Sequence, residues 1–383
     1  MSLATLNLGK GLEPALLSGH PWIYRNHLPA HQLHSGDWVR VEAGKSAAFG
    51  LYDDEGAIGL RLFSQHDVPD DAWITARVEE ALALRSGFDD KTTNAYRLIY
   101  GEGDFLPGIT VDRYERYAVL KTYSASVERL VPTVVKALGQ QLKLRGVLSR
   151  DASGLTPLYG QKPPPEVTIA EHGLKFIANL YEGQKTGLFL DHRENRKWLE
   201  PHTSNRTVLN LFSYTGGFSL YAARGGASHV TSVDVAEAAN EDAKRNFALN
   251  DFDPDAHDFV TADCFDLLAR YAQQNRRFDV IVIDPPSLAR NKKSRHAALR
   301  AYRKLNATAL TCLSPGGLLV SASCTSQVSP EEFRRVLGDA ASEAKVRLQI
   351  VHEAGHASDH PVPATFPEGR YLKFVAARAL PLA

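Results

Sequence analysis

Apolar and polar residues change their spacing near residue 173. From there on, short apolar runs (Val208–Leu211, His229–Val233, Phe259–Ala262, Val280–Ile283 and Gly317–Ala322) alternate with stretches whose apolar residues recur at helical spacing. Runs this short, with little polar alternation, suit strands buried on both faces, and their alternation with helices predicts a doubly wound, parallel α/β sheet. Val346–Glu353 and Arg370–Ala376 add two late strands, and Asp191 is placed to open a helix ahead of the first. Before residue 173 the pattern differs. Asp37–Glu42 and Ala57–Phe63 alternate polar with apolar between Gly and Asp clusters, which predicts a small β-barrel. A helix with Asp at its cap follows at about 70–88, then a hairpin of Ile109–Asp112 with Tyr117–Lys121, a helix over 127–142 and strands at 146–150 and 167–169. Pro163–Pro165 reads as a turn. The expected domains are 1–68, β-rich; 69–172, α+β; and 173–383, α/β.

Within the last domain, Val208–Asp234 reads as strand, glycine turn, helix, strand and acid. An acid about twenty residues beyond such a turn is the arrangement that holds an adenosine ribose. The turn, Ser213-Tyr214-Thr215-Gly216-Gly217, lacks the G-x-G-x-x-G spacing that lets backbone approach a pyrophosphate. A methionine-type adenosine ligand needs no phosphate cradle, yet its carboxylate still gains from amides at a helix N-terminus. Two more acids stand at strand ends, Asp263 in Thr261-Ala262-Asp263-Cys264 and Asp284 in Ile283-Asp284-Pro285-Pro286. Three acids in this order favour S-adenosylmethionine (SAM) as cofactor and methyl transfer as the reaction.

Composition narrows the setting. The 383 residues are 44% hydrophobic and 23% charged with a net charge of +0, an ordinary soluble composition. No apolar run is long enough to span a bilayer, and the N-terminus lacks the basic start and apolar core of a signal peptide. Cys264, Cys312 and Cys324 form no CxxC pair, which argues against zinc or a disulfide framework and fits the cytoplasm. The balanced charge excludes a generally basic nucleic-acid binder, so an RNA role needs a local patch. Arg290 to Lys304, with Arg290, Lys292, Lys293 and Arg295 and no acid, supplies one directly after the Asp284 loop.

These motifs resemble a known family. Asn210 to Asp234, Asp263 and Asp284-Pro285-Pro286-Ser287 are similar to class I SAM-dependent methyltransferases. Gly183-Gln184-Lys185-Thr186-Gly187, Leu190-Asp191, Arg193, Asn195 and Arg196, with Pro107-Gly108, Val111 to Tyr114 and Phe366 to Lys373, resemble the RlmI-like bacterial 23S rRNA cytosine-5 methyltransferases. The N-terminal module, with Lys10, His20-Pro21-Trp22-Ile23-Tyr24, Gly36 to Val41 and Ala48 to Tyr52, resembles the PUA domain of that family. The resemblance covers nearly the whole chain. It implies that Asp234 holds the ribose and Asp263 the adenine amine, and that the loop of Phe212, Ser213, Tyr214, Thr215 and Gly216 holds the methionine end, with Lys185, Asp191, Arg193 and Asp284 alongside. It makes Lys10 and Arg25 candidate phosphate contacts and 23S rRNA the partner; a homodimer is compatible with the sequence, and no membrane is involved.

Cys324, after the Leu318–Val320 strand, is the candidate nucleophile. Carbon 5 of cytosine is a poor nucleophile until a thiolate adds to carbon 6. Asp284 is placed to steady the adduct at ring N3 and the exocyclic amine. Cys312 sits in an apolar run as a core residue, and Cys264 is expected to pack near the cofactor. The Asp284 loop holds no second cysteine. Two other readings are open, a guanine N-methyltransferase on a similar fold, which needs no thiolate, and a non-catalytic RNA-binding protein.

Overall fold

A computed structural model describes residues 3–151, 154–289 and 292–382, without the side chain of Lys292. The chain forms two compact units. One comprises Met1–Gly173, Ala178–Leu190 and Ser358–Gly369, the other Leu174–Ile177, Asp191–Ala357 and Arg370–Ala383.

The first unit contains two five-stranded sheets. The order in one is Ala4–Asn7, Trp38–Ala43, Ser46–Tyr52, Ile58–Ser64 and Trp22–Tyr24, with only the first pairing parallel. Val39 and Val41 point into its core with Ile23 and Leu60, whereas Arg40 between them is exposed, the period-two pattern of a half-buried sheet. The other sheet orders Gly154–Gly160, Gly146–Asp151, Tyr117–Thr122, Ile109–Tyr114 and Ala95–Tyr100. Helices Asp71–Leu84 and Val131–Gln141 lay Ile74, Val78, Val134 and Leu138 into the core with Val111 and Leu120. Asp70 caps the first helix by accepting the Trp73 amide at 2.8 Å. Ala4–Asn7, Ala95–Tyr100 and Gly154–Gly160 are strands beyond those the alternation predicts. The last is an exposed edge containing Pro157, without an apolar face to betray it.

In the second unit the strands are β1 Thr207–Leu211, β2 His229–Asp234, β3 Asp258–Thr261, β4 Phe278–Ile283, β5 Leu313–Cys324, β6 Val346–Ala354 and β7 Leu372–Pro381. The helices are α1 Arg193–Leu199, α2 Gly217–Arg224, α3 Glu237–Leu249, α4 Cys264–Gln273, α5 Arg295–Thr311 and α6 Pro330–Glu343. The seven-stranded sheet runs β3-β2-β1-β4-β5-β7-β6, parallel except that β7 is antiparallel to both neighbours. This is the doubly wound α/β arrangement that the alternation predicts. Leu267 and Leu268 of α4 and Leu305 and Leu310 of α5 share a core with Leu209, Leu211, Ile281 and Ile283.

One local expectation changes. Asp191 lies in a 3-10 turn, Leu190–His192, and His192, not Asp191, occupies the N-cap of α1. The Asp191 carboxylate instead accepts the Tyr371 hydroxyl at 2.6 Å.

Helix α3 ties the glycine loop to the chain upstream of the sheet. The fully buried Asn246 accepts the Ile177 amide and donates to the Thr215 carbonyl, each at 2.9 Å. Asn246→Ala strands the buried Thr215 carbonyl and the half-buried Ile177 amide, at a cost of about 1–3 kcal/mol for the first and less for the second. The variant is expected to unfold at lower urea, with a loss of about 2–4 kcal/mol.

Candidate active site

The parallel register sets the site. Leu211 pairs with Val233 and Ile283, and Ile283 with Ser321, so these four residues form one tier across β2, β1, β4 and β5. One step on, Asp234 ends β2 and Asp284 follows β4; Cys324 ends β5. Asp263 lies two residues beyond Thr261, the partner of Asp234. Carboxyl ends of parallel strands are where α/β sheets bind ligands, because the helix N-termini also open there.

The loop from β1 to α2 is strained. Phe212, Tyr214 and Gly216 have φ of 58°, 48° and 79°. Left-handed backbone at non-glycine residues is uncommon and is retained where its surroundings enforce it. Here the Ser213 amide donates to Val233 O at 2.9 Å, the Tyr214 amide to Asp234 Oδ2 at 2.9 Å and the Gly216 amide to Ser213 O at 2.9 Å. Gly216 is required twice over, by its φ and because a Cβ there would meet the Ala243 Cβ at 2.9 Å. At Gly217 a Cβ would come within 3.0 Å of Arg196 Cδ. The backbone thus opens α2 with its first amides uncovered by any side-chain cap.

Asp234 is oriented by two amides, Tyr214 N on Oδ2 and Ala236 N, 3.0 Å away, on Oδ1. Each oxygen keeps a lone pair for a diol. Asp263 caps α4 through Oδ1, accepting the Phe265 and Asp266 amides at 2.8 and 3.1 Å, and its Oδ2 takes no hydrogen bond among the described residues. Beside this loop Asn210 Oδ1 and Ser213 Oγ are buried and have no hydrogen-bond partner among the described residues. Orphaned acceptors, an amide-lined helix start and two acids at adjacent strand ends fit an adenosine ligand with a charged amino-acid tail.

Asp284 is half-buried, and His192 Nε2 stands 3.3 Å from its Oδ2. The Asn195 amide nitrogen lies 3.0 Å from His192 Nδ1 and also donates to Gly355 O at 3.1 Å. Pro285 O accepts the Cys324 thiol at 3.7 Å, and Thr325 Oγ1 donates to Ala289 O at 2.8 Å. These two bonds hold the Asp284 loop against the end of β5. Lys373 of β7 reaches the same place: its buried ammonium donates to Thr325 O and, at 2.9 Å, to Tyr371 O. Tyr302 of α5 is fully buried nearby; burial pushes its phenol up to about 12, and Cys324 and Asp284 add to the shift. His192, Tyr302 and Lys373 received no role from sequence. Lys373 alone carried a signal, as part of the Phe366–Lys373 stretch.

The three cysteines differ. Cys324 is half-buried, whereas Cys264 and Cys312 are buried. Burial pushes the Cys264 thiol up to about 12, although the Phe212 amide donates to its sulfur at 3.2 Å. Burial also raises Cys312, whose thiol donates to Leu268 O at 3.7 Å.

The remaining sequence candidates are placed as follows. Arg193 is fully buried and donates to Glu194 at 3.0 Å. Lys185, in the first unit, is exposed with its ammonium 4.5 Å from the Phe189 ring centroid. Lys10 is exposed in a 3-10 turn. Arg25 is committed within its own sheet, donating to Gly56 O, Asp53 O and Glu55 O at 2.7–2.8 Å and to Tyr52 Oη at 3.1 Å. Lys293 is exposed, and Arg295 pairs with Glu332 of the α6 capping box. Arg290 and the Lys292 side chain lie outside the described residues. Among the described residues no helix is long and apolar enough to cross a membrane.

Comparison with known proteins identifies the family and the fold. Residues 113–364 match an S-adenosylmethionine-dependent methyltransferase family and residues 6–65 a PUA-like domain. The chain is 37% identical to the ribosomal RNA large subunit methyltransferase I of Klebsiella pneumoniae, with 98% of each chain covered. It is 38% identical to that of Pseudoalteromonas translucida, covering 96% of this chain and 97% of the relative. It is similar to a solved methyltransferase complexed with SAH, with a TM-score of 0.90 and 27% identity over 98% of this chain and 100% of the other. A SAM-dependent methyltransferase from Streptococcus mutans gives a TM-score of 0.88 at 26% identity, with the same coverage.

The burial differences set an order of thiol reactivity. In the folded protein, iodoacetamide is expected to label Cys324 well before Cys264 or Cys312, as read by peptide mass mapping. Equal labelling of all three would contradict the packing described.

Proposed function

The chain belongs to the SAM-dependent methyltransferases of large-subunit ribosomal RNA, and from that premise we propose that it methylates carbon 5 of a cytosine in 23S rRNA through a bond between Cys324 and carbon 6. When bound, SAM supplies an electrophilic methyl group on its sulfonium. Asp234 accepts the ribose hydroxyls, Asp263 the adenine amine, and the amides at the start of α2 hold the methionine carboxylate. Lys185, Asp191 and Arg193 shape this region in the reading taken from sequence.

The observation that carries the proposal is the half-buried Cys324 at the end of β5, against the Asp284 loop. Its thiolate adds to carbon 6, and the displaced electron pair makes carbon 5 enamine-like while charge grows at ring N3. The Asp284 carboxyl, with His192 3.3 Å away, faces that charge and the exocyclic amine. Carbon 5 takes the methyl group, its proton passes to solvent water as the double bond re-forms, and the thiolate leaves. The target base must be out of its stack, so loop or single-stranded RNA is the accessible substrate. Of the basic residues singled out from sequence, Lys10 and Lys293 are exposed and available to phosphates. Arg25 and Arg295 are engaged within the protein and serve there first.

Cys324→Ala is expected to abolish methylation while leaving SAM affinity within about twofold, and RNA carrying 5-fluorocytosine should trap a covalent complex with wild type. A Cys324→Ala enzyme that still methylates would point to a ring nitrogen. Asp234→Ala removes a charge-assisted pair of bonds, and SAM affinity measured by calorimetry should fall about 10–100-fold.

A further inference from the structure

Lys373 is a buried cation without an acidic partner among the described residues. Antiparallel pairing of β5 with β7 sets Cys324 opposite Leu372 and Ser323 opposite Lys373. The side chain is 4% exposed, and both its hydrogen-bond acceptors are main-chain carbonyls, Thr325 O and Tyr371 O. Among the described residues no carboxylate pairs with it. A buried ammonium lacking a counter-charge is unfavourable, and proteins normally pair it or neutralise it. Burial lowers this one to about 8, and the group that works against that shift is Cys324.

Among the described residues, charged and titratable groups near the Cys324 end of β5 come from three elements. Asp284 after β4 has His192 3.3 Å from its carboxyl group. Tyr302 of α5 has a phenol held neutral by burial. Lys373 of β7 brings a cation to Thr325 O, one residue from Cys324. A thiolate close to a neutral phenol and a carboxyl group gains from a nearby cation if it is to form near neutral pH.

We infer that Lys373 is the counter-cation of the Cys324 thiolate, a positioning residue that fixes the end of β5 through Thr325 O and supplies the charge stabilising the sulfur anion. The thiol proton goes to solvent and no covalent bond is made; the ammonium and the thiolate neutralise one another in the buried site. When the sulfur electron pair moves into the bond with carbon 6, the ammonium is left without its partner until the thiolate returns. The lysine therefore also favours expulsion of the thiolate at the end of the cycle. The inference rests on Cys324 as the nucleophile, but its test does not.

The test is the rate of Cys324 alkylation by iodoacetamide against pH, read by mass mapping on the full-length protein, for wild type, Lys373→Gln and Lys373→Arg. Glutamine can keep a donor to Thr325 O while removing the charge. The wild-type midpoint is expected below the ordinary thiol value of about 8.5. Lys373→Gln should raise the midpoint by about one unit or more and slow alkylation at pH 7 by about tenfold, and Lys373→Arg should recover part of the loss. A wild-type midpoint at or above the ordinary value overturns the inference, as does a Gln variant that titrates like wild type. If Lys373→Gln does not fold, the wild-type and Arg midpoints decide. The 5-fluorocytosine trap on the same wild-type sample separates the two ideas. An adduct with an unshifted midpoint removes the role of Lys373 alone. A low, lysine-dependent midpoint without an adduct removes the cytosine reading alone.

Discussion

Hydrogen bonds between the parallel strands β2, β1, β4 and β5 hold Leu211 level with Val233 and Ile283, and Ile283 level with Ser321. Every chemically interesting group in the second unit is measured from that tier. Side chains alternate faces along a strand, so a slip of one residue in β4 would turn Asp284 away and bury its neighbour in its place. The slip is resisted because Ile281 and Ile283 are buried and share a core with Leu209 and Leu211. The apolar runs thus do more than fill a sheet: they fix how far beyond one tier each acid and the thiol stand.

Above that tier the backbone is held in conformations it would not choose alone. Phe212 and Tyr214 are left-handed because the Ser213 and Tyr214 amides are drawn to Val233 O and Asp234 Oδ2. Such strain persists only when surrounding contacts over-determine it. Here these come from β2 on one side and from Asn246 of α3, through Thr215 O, on the other. In the proposed reading, the acid that would receive the ribose therefore also shapes the loop that would hold the methionine end. Ligand site and backbone strain are one arrangement.

What could be read from sequence was local. The glycine turn, the acids at strand ends and the apolar runs each lie within a few residues, and the α/β sheet follows from their alternation. Features made by distant pairing could not be read in this way. Nothing near Lys373 says that it is buried; that follows from β7 entering the sheet beside β5, opposite Ser323 and Leu372's partner Cys324. Asn246 looks like a solvated helix position until residues 175–177 dock on α3. Asp191 resembles a helix cap, but Tyr371, far along the chain, takes its carboxylate. Arg25 and Arg295 resemble phosphate ligands by composition, and the structure gives each an internal partner.

The place of β7 has a consequence for how the protein is made. It is the last strand in the chain, yet it lies between β5 and β6. During synthesis from the N-terminus, the earlier strands can assemble while the exposed edge of β5 waits for a partner. The first unit, too, includes Ser358–Gly369, so neither unit is complete until nearly the whole chain has emerged. Cys324 acquires its lysine neighbour in the same final step that closes the sheet. A nascent or truncated chain would carry the sulfur without the cation, and reactive chemistry would be confined to finished molecules.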